Sequence, residues 1–229
     1  MPASRFLTAI LTILAAPLMA QQPKPSHWTF GVSAGPGFGG PVEQMKDRLL
    51  EEQWTDRYCD YRQTSCHDSP TSRRGFIQVA GALGRRLNDR LELKAVFEAG
   101  DLGEVTGNKG QYQIFANWKT ATLGVGLILH PVPRVRVGGG PLLAMLTRQV
   151  VPTENANPIR AGLFFEGGIR SSERSATFLE LVVTYRMLAK LPEGPWPGNG
   201  NSAQVYLGPT GIDANFSHFT IGLGAGVRF

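Results

Sequence analysis

Long hydrophobic runs are scarce in this chain. Beyond residues 6–20, no segment approaches eighteen unbroken apolar residues, so no transmembrane helix is expected in the mature chain. Basic residues are never massed either. The formal net charge is +5, spread along the chain without a dense Lys/Arg block, which argues against a nucleic-acid partner. Cysteine is confined to Cys59 and Cys66. Histidine is confined to His27, His67, His130 and His218. They are scattered, and chance placement accounts for them better than a metal or catalytic constellation. No cofactor is expected.

The N-terminus reads "MPASRFLTAILTILAAPLMAQQPKP". One arginine precedes the apolar run from Phe6 to Ala20, and polar Gln21-Gln22 follow. That is the layout of a secretory signal peptide, with cleavage expected after Ala20. Residues 21–229 then form one domain of about 209 residues. Losing Arg5 lowers the net charge to about +4.

Apolar alternation with period two recurs along the domain and predicts eight strands. They fall at about 28–39, 75–86, 90–104, 111–130, 134–149, 159–170, 175–188 and 216–229. Three connections are short: "LNDR" at 87–90, "PVPR" at 131–134 and "SSER" at 171–174. The other four, 40–74, 105–110, 150–158 and 189–215, are longer. Short turns at one end and long loops at the other are the signature of an up-and-down transmembrane barrel.

Each strand has an apolar and a polar face. Leu91, Leu93, Ala95, Phe97 and Ala99 oppose Glu92, Lys94, Val96 and Glu98. Leu179, Leu181, Val183 and Tyr185 oppose Glu180, Val182, Thr184 and Arg186. With a secretory leader, the apolar face is read as facing lipid and the charged face as facing the lumen. A closed barrel pairs every backbone group within the protein, as lipid requires. The expected lumen network is Glu92, Lys94, Glu98, Arg136, Glu166, Glu180, Arg186 and Arg228. Lys94, Glu166 and Glu180 lie at similar depth, counted from the short turns. A hairpin symmetric about Glu173 would set Glu166 directly opposite Glu180, with Lys94 and Arg136 neutralising the pair. Inward glycines, including Gly124, Gly126, Gly138, Gly140, Gly222, Gly224 and Gly226, would make room for the long charged side chains in a narrow lumen, or would mark bulges and kinks.

The last strand, "FTIGLGAGVRF", places Phe219, Ile221, Leu223, Val227 and Phe229 on the lipid parity. An amphipathic final strand ending in phenylalanine, a secretory leader and eight strands together resemble the small bacterial outer-membrane barrels of the OmpA/OmpX type. The resemblance spans residues 27–229. It implies residence in the outer membrane of a Gram-negative bacterium, surrounded by outer-membrane lipid and lipopolysaccharide. It also implies recognition of that final strand by the barrel-assembly machinery. The peptidoglycan-binding module of larger relatives is not expected after Phe229, and the first outer loop, 40–74, is unusually long.

That loop holds "VEQMKDRLLEEQW" at 42–54, where Val42, Met45, Leu49 and Leu50 stand near helical spacing. A short amphipathic helix is expected, packed on the barrel mouth or on a partner. Cys59 and Cys66 follow. In an oxidising compartment they read as a disulfide, stabilising by about 2–3 kcal/mol in the chain-entropy model. A metal site of Cys59, Cys66 and His67 matches no common ligand spacing.

Some small outer-membrane barrels modify lipid A. "NFSHF" offers Ser217 and His218, but adjacent strand residues point to opposite faces, and the lipid A deacylase family places its His and Ser two apart. The preferred reading is therefore a non-catalytic porin-like barrel contributing to envelope integrity, or to surface interactions through its extracellular loops. A narrow pore and a lipid A-modifying enzyme are the alternatives, with a soluble ligand-binding barrel behind them.

Overall fold

The computed structural model describes residues 28–55, 70–74, 77–109, 112–151, 154–156, 158–171, 175–193, 197–198, 205–206 and 212–229. The expected leader, His27, His67 and the Cys59–Cys66 pair lie outside them.

Eight antiparallel strands form the wall: β1 (Trp28–Gly35), β2 (Gln78–Arg86), β3 (Leu91–Lys109), β4 (Tyr112–Val132), β5 (Val135–Val151), β6 (Ile159–Arg170), β7 (Thr177–Leu188) and β8 (His218–Arg228). Each pairs with its chain neighbour, and β8 returns to pair with β1. At that seam Thr29 faces Arg228 and Ala34 faces Leu223. Trp28 and Phe229 exchange two backbone hydrogen bonds, of 2.9 and 3.1 Å. The ladder has no free edge, as lipid requires.

The wall is uneven in height. A membrane-crossing strand needs about 9–11 residues. β1 has 8, whereas β3 and β4 have 19 and 21. The expected loop at 105–110 is therefore not a loop: Lys109 pairs with Tyr112 at the tip of a tall hairpin. Residues 150–158 are likewise partly strand, since Glu154–Ala156 folds back onto Arg148–Val150 of β5. The first expected strand stops earlier than 39. It breaks at Pro36, and Gly37–Gly39 then pairs with β8. In the 40–74 loop, Thr71–Arg74 adds to the upper part of β3.

Outward positions of the wall carry the exposed apolar residues. Leu91, Leu93, Ala95, Phe97 and Ala99 form the apolar stripe of β3, and Asp101 above them pairs with Lys119 of β4 at the stripe's upper edge. Just there the register slips between Asp101 and Gly103. Gly103 adopts φ +107, a conformation that glycine tolerates, and its N–H donates to Asp101 Oδ1 at 2.8 Å. This bulge exchanges the faces. Below it, even-numbered residues such as Glu98 are buried; above it, Val105 is buried and Glu104 is not. Reading β3 as a uniform alternation misses that switch.

Helix α1 (Val42–Glu51) turns Val42, Met45 and Leu49 inward. These residues and Trp54 pack in one apolar cluster with Leu102, Val105, Ile114, Trp118 and Leu146 of the tall strands. Thus the helix packs on the barrel mouth. Gly107 admits it: a Cβ there would lie 3.3 Å from Trp54 and 3.4 Å from Leu49. Lys109 Nζ donates to Glu52 O at 2.7 Å, placing a cation at the helix C-terminus, where the helix dipole favours one. Asn215 N donates to Gln44 Oε1 at 2.8 Å and ties the other side of α1 to the segment leading into β8.

Candidate functional site: the filled lumen

Because side chains alternate along each strand, the even-numbered residues of β5, β6, β7 and of β3 below its bulge meet inside the barrel. Four carboxylates, Glu92, Glu98, Glu166 and Glu180, and four cations, Lys94, Arg136, Arg170 and Arg186, are buried there. The numbers balance, which matters because an unpaired buried charge is strongly destabilising.

The contacts run as a chain near the short-turn end. Lys94 Nζ donates to both oxygens of Glu166, at 2.6 and 2.8 Å. Arg136 bridges Glu166 at 3.1 Å and Glu180 at 2.9 Å. Arg170 joins Glu180 at 3.2 Å to Glu92 at 3.3 Å. Glu92 also accepts from Thr29 Oγ1 at 2.9 Å and lies 2.9 Å from His130 Nε2. Arg86 Nη2 stands 3.4 Å from His130 Nδ1. With a proton on Nε2, the His130 ring donates to Glu92 and its Nδ1 faces Arg86.

A second group lies nearer the loops. Arg186 pairs with Glu98 and donates to Thr220 Oγ1 at 3.1 Å. His218 donates from Nδ1 to Phe216 O at 3.0 Å, leaving Nε2 3.6 Å from Glu98 Oε1.

The hairpin between β6 and β7 is offset from the expected symmetric turn. Glu180 faces Arg170, and Glu166 faces Thr184. The two carboxylates are therefore not directly opposed; they are joined through Arg136. Arg170, absent from the expected network, shares the inward parity of Glu166 in β6, and its pairing with Glu180 depends on this register. Arg228 sits at the rim, with its guanidinium 5.1 Å from the Phe178 ring and Nη1 donating to Ser175 O at 3.1 Å. Arg170 stacks on the same ring at 4.5 Å, so Phe178 and two arginines fill the short-turn mouth. His130 and His218, set aside as scattered in sequence, both meet lumen carboxylates.

Glycines admit the filling, though not only for charges. A Cβ on Gly168 would come within 2.9 Å of Arg136 Nε. One on Gly224 would meet Val32 O at 2.6 Å and Ser33 Cβ at 2.8 Å before Glu180 Cγ at 3.2 Å. At Gly126, Gly138 and Gly140 the nearest atoms are the backbone of a neighbouring strand. At Gly124 and Gly226, however, the crowding atoms belong to Phe164 and Phe178.

Ser217 and His218 do not work as a pair. Ser217 Oγ accepts from Leu188 N at 3.1 Å and donates to Leu188 O at 3.3 Å, whereas the His218 ring points into the lumen. The residues of the expected assembly signal, Phe219, Ile221, Leu223, Val227 and Phe229, face outward, with Leu223 and Phe229 the barest at 72% and 68% exposed. Phe219 stacks on Phe38 at 4.9 Å.

The sequence matches no family model and no curated protein. Solved structures of similar design are outer-membrane barrels. Ail, the attachment invasion locus protein of Yersinia pestis, is 12% identical over 89% of this chain and 97% of its own, with a TM-score of 0.42. OprG of Pseudomonas aeruginosa is 12% identical over 88% and 95%, at 0.43. AlkL, solved in lipid bilayers, is 11% identical over 92% and 93%, at 0.45. The barrel assignment stands on this chain's own closed ladder.

Proposed function

We propose that this chain is a non-catalytic outer-membrane barrel, delivered by a leader at residues 1–20, that contributes to envelope integrity and meets the exterior through its long-loop end. The observation supporting this reading is the filled lumen. Eight mutually paired charges occupy it, and the apolar cluster under α1 covers them. Among the described residues, this packing argues against a water-filled path and against a substrate held inside the lumen. The apolar outer band suits outer-membrane lipid and lipopolysaccharide, and the outward face of β8 suits the barrel-assembly machinery. In the outer loop we further propose the Cys59–Cys66 disulfide, which non-reducing peptide mapping would detect.

The deciding test combines three measurements on protein made in outer membranes. Unboiled protein should migrate faster than boiled protein. Planar bilayers should show no stable conductance steps, and steps would favour the pore. Lipid A mass spectra of expressing and deleted cells should coincide, and a shifted acylation pattern would restore the enzyme.

A further inference from the structure

Below the Gly103 bulge and the Asp101–Lys119 pair beside it, the described outward positions of the eight strands are uncharged, with one exception, Arg85 of β2. Arg85 shares the outward parity of Val79 and Leu83, which are exposed. The register sets Trp28 on one side of it and Leu93 on the other. Its guanidinium lies over the Trp28 ring, 5.5 Å from the centroid. Among the described residues no carboxylate pairs with it. A cation on the lipid-facing wall is unfavourable in hydrocarbon, so one without a protein partner draws an anion from its surroundings. Guanidinium matches phosphate with two parallel N–H bonds while its face stacks on an aromatic ring.

An apolar groove of about 420 Å³ begins beside this pair, lined by Phe30, Val32, Thr177, Leu179, Ala225 and Val227. Ala225 is its floor, because the register places Val32 and Leu179 on either side of that small side chain. Phe30 edges the groove, and Trp28 lies two residues nearer the short-turn end on the same face, directly across from Arg85. A molecule that fills both features carries an anion at one end and hydrocarbon behind it. A second copy of this wall does not, since its described outward face below the bulge presents no carboxylate.

We propose that Arg85, Trp28 and this groove form a binding site for one anionic phospholipid of the leaflet at the short-turn end. The guanidinium holds the phosphate, and an acyl chain runs past Phe30 over Ala225. The proposal names a partner for the outer band and rests on the reading of the chain as a membrane barrel.

The test is native mass spectrometry of the chain refolded in detergent micelles, after incubation with phosphatidylglycerol or with phosphatidylcholine of the same acyl chains. The natural protein should retain one phosphatidylglycerol in preference to phosphatidylcholine. Arg85→Gln should reduce that preference about tenfold, the scale of a lost charge-assisted contact. Arg90→Gln makes the same charge change at an exposed turn position and should leave it intact. Ala225→Leu should fill the groove and lower retention of both lipids, and excess glycerol phosphate should displace neither. Equal retention of the two lipids by the natural protein would overturn the site, as would an undiminished preference in Arg85→Gln or an equal loss in Arg90→Gln. Displacement by glycerol phosphate, or unchanged retention in a folded Ala225→Leu, would overturn the groove's part in it. Faster migration of each unboiled band shows that the barrel itself is intact, so its failure is read separately. If Ala225→Leu does not fold, the two arginine variants decide.

Discussion

In the short-turn half of the interior, the wall strands contribute charges and the glycines that admit them. In the long-loop half, the same strands contribute Leu102, Leu142, Leu146, Phe164 and Leu188, and the loops add α1, Trp54 and Phe216. The lower half is held by pairs, so removing one partner strands the other in a medium that solvates it poorly. The upper half is held by close packing, so a truncation costs the lost contacts and whatever cavity cannot collapse. Two kinds of interior thus share one wall, and they should fail differently.

The largest effect is expected at Lys94. Lys94→Met should destabilise the barrel by about 3–5 kcal/mol, because Glu166 loses its closest partner. Adding Glu166→Gln should recover much of this, since three carboxylates then meet three cations. Adding Glu180→Gln as well should lose ground again, because Arg136 and Arg170 both lean on that carboxylate. Urea unfolding in detergent, followed by the heat-modifiable band, measures all three. A neutral Lys94→Met would show that the charges do not act as one unit.

In the packed half, Leu49→Ala should cost about 2–3 kcal/mol, and the loss should be local. Limited proteolysis should cut around α1 sooner while the barrel band still migrates fast. Global unfolding at the same midpoint as the cap would erase the distinction between the halves. At the border between them, Gly103→Ala should cost about 1–2 kcal/mol, because an L residue resists the positive φ of the bulge. The change should again appear first as faster cleavage near α1.

The smallest stability change is expected on the outer surface. Phe229→Ala keeps the backbone bonds to Trp28 and removes only an exposed ring. Detergent refolding should shift by less than about 0.5 kcal/mol, while insertion in cells falls several-fold. Equal insertion would remove the proposed assembly role of the terminal ring.

The lower half was readable because period-two alternation states which residues meet inside. Glu92, Lys94, Glu98, Arg136, Glu166, Glu180 and Arg186 all follow from parity. Their partners did not, because pairing depends on register, and the offset that sets Glu180 against Arg170 is decided by a turn whose residues carry little signal. The upper half was harder. Val42, Met45 and Leu49 announce a helix, but the switch of faces at Gly103 breaks the alternation that would have shown Val105 waiting for it. Connections at 105–110 and 150–158 read as loops because strands beyond the bilayer no longer show the lipid-facing apolar parity.

The seam where Trp28 meets Phe229 bears on the order of assembly. Seven ladders join strands consecutive along the wall, whereas the eighth unites Thr29 with Arg228, about 200 residues apart. For a flexible chain, closing such a span costs only about 3 kcal/mol more than closing a ten-residue loop. Every hairpin already formed shortens the effective span. Ring closure is therefore an affordable last step, and its rate should track how completely the seven hairpins have formed rather than the length of chain between the two ends.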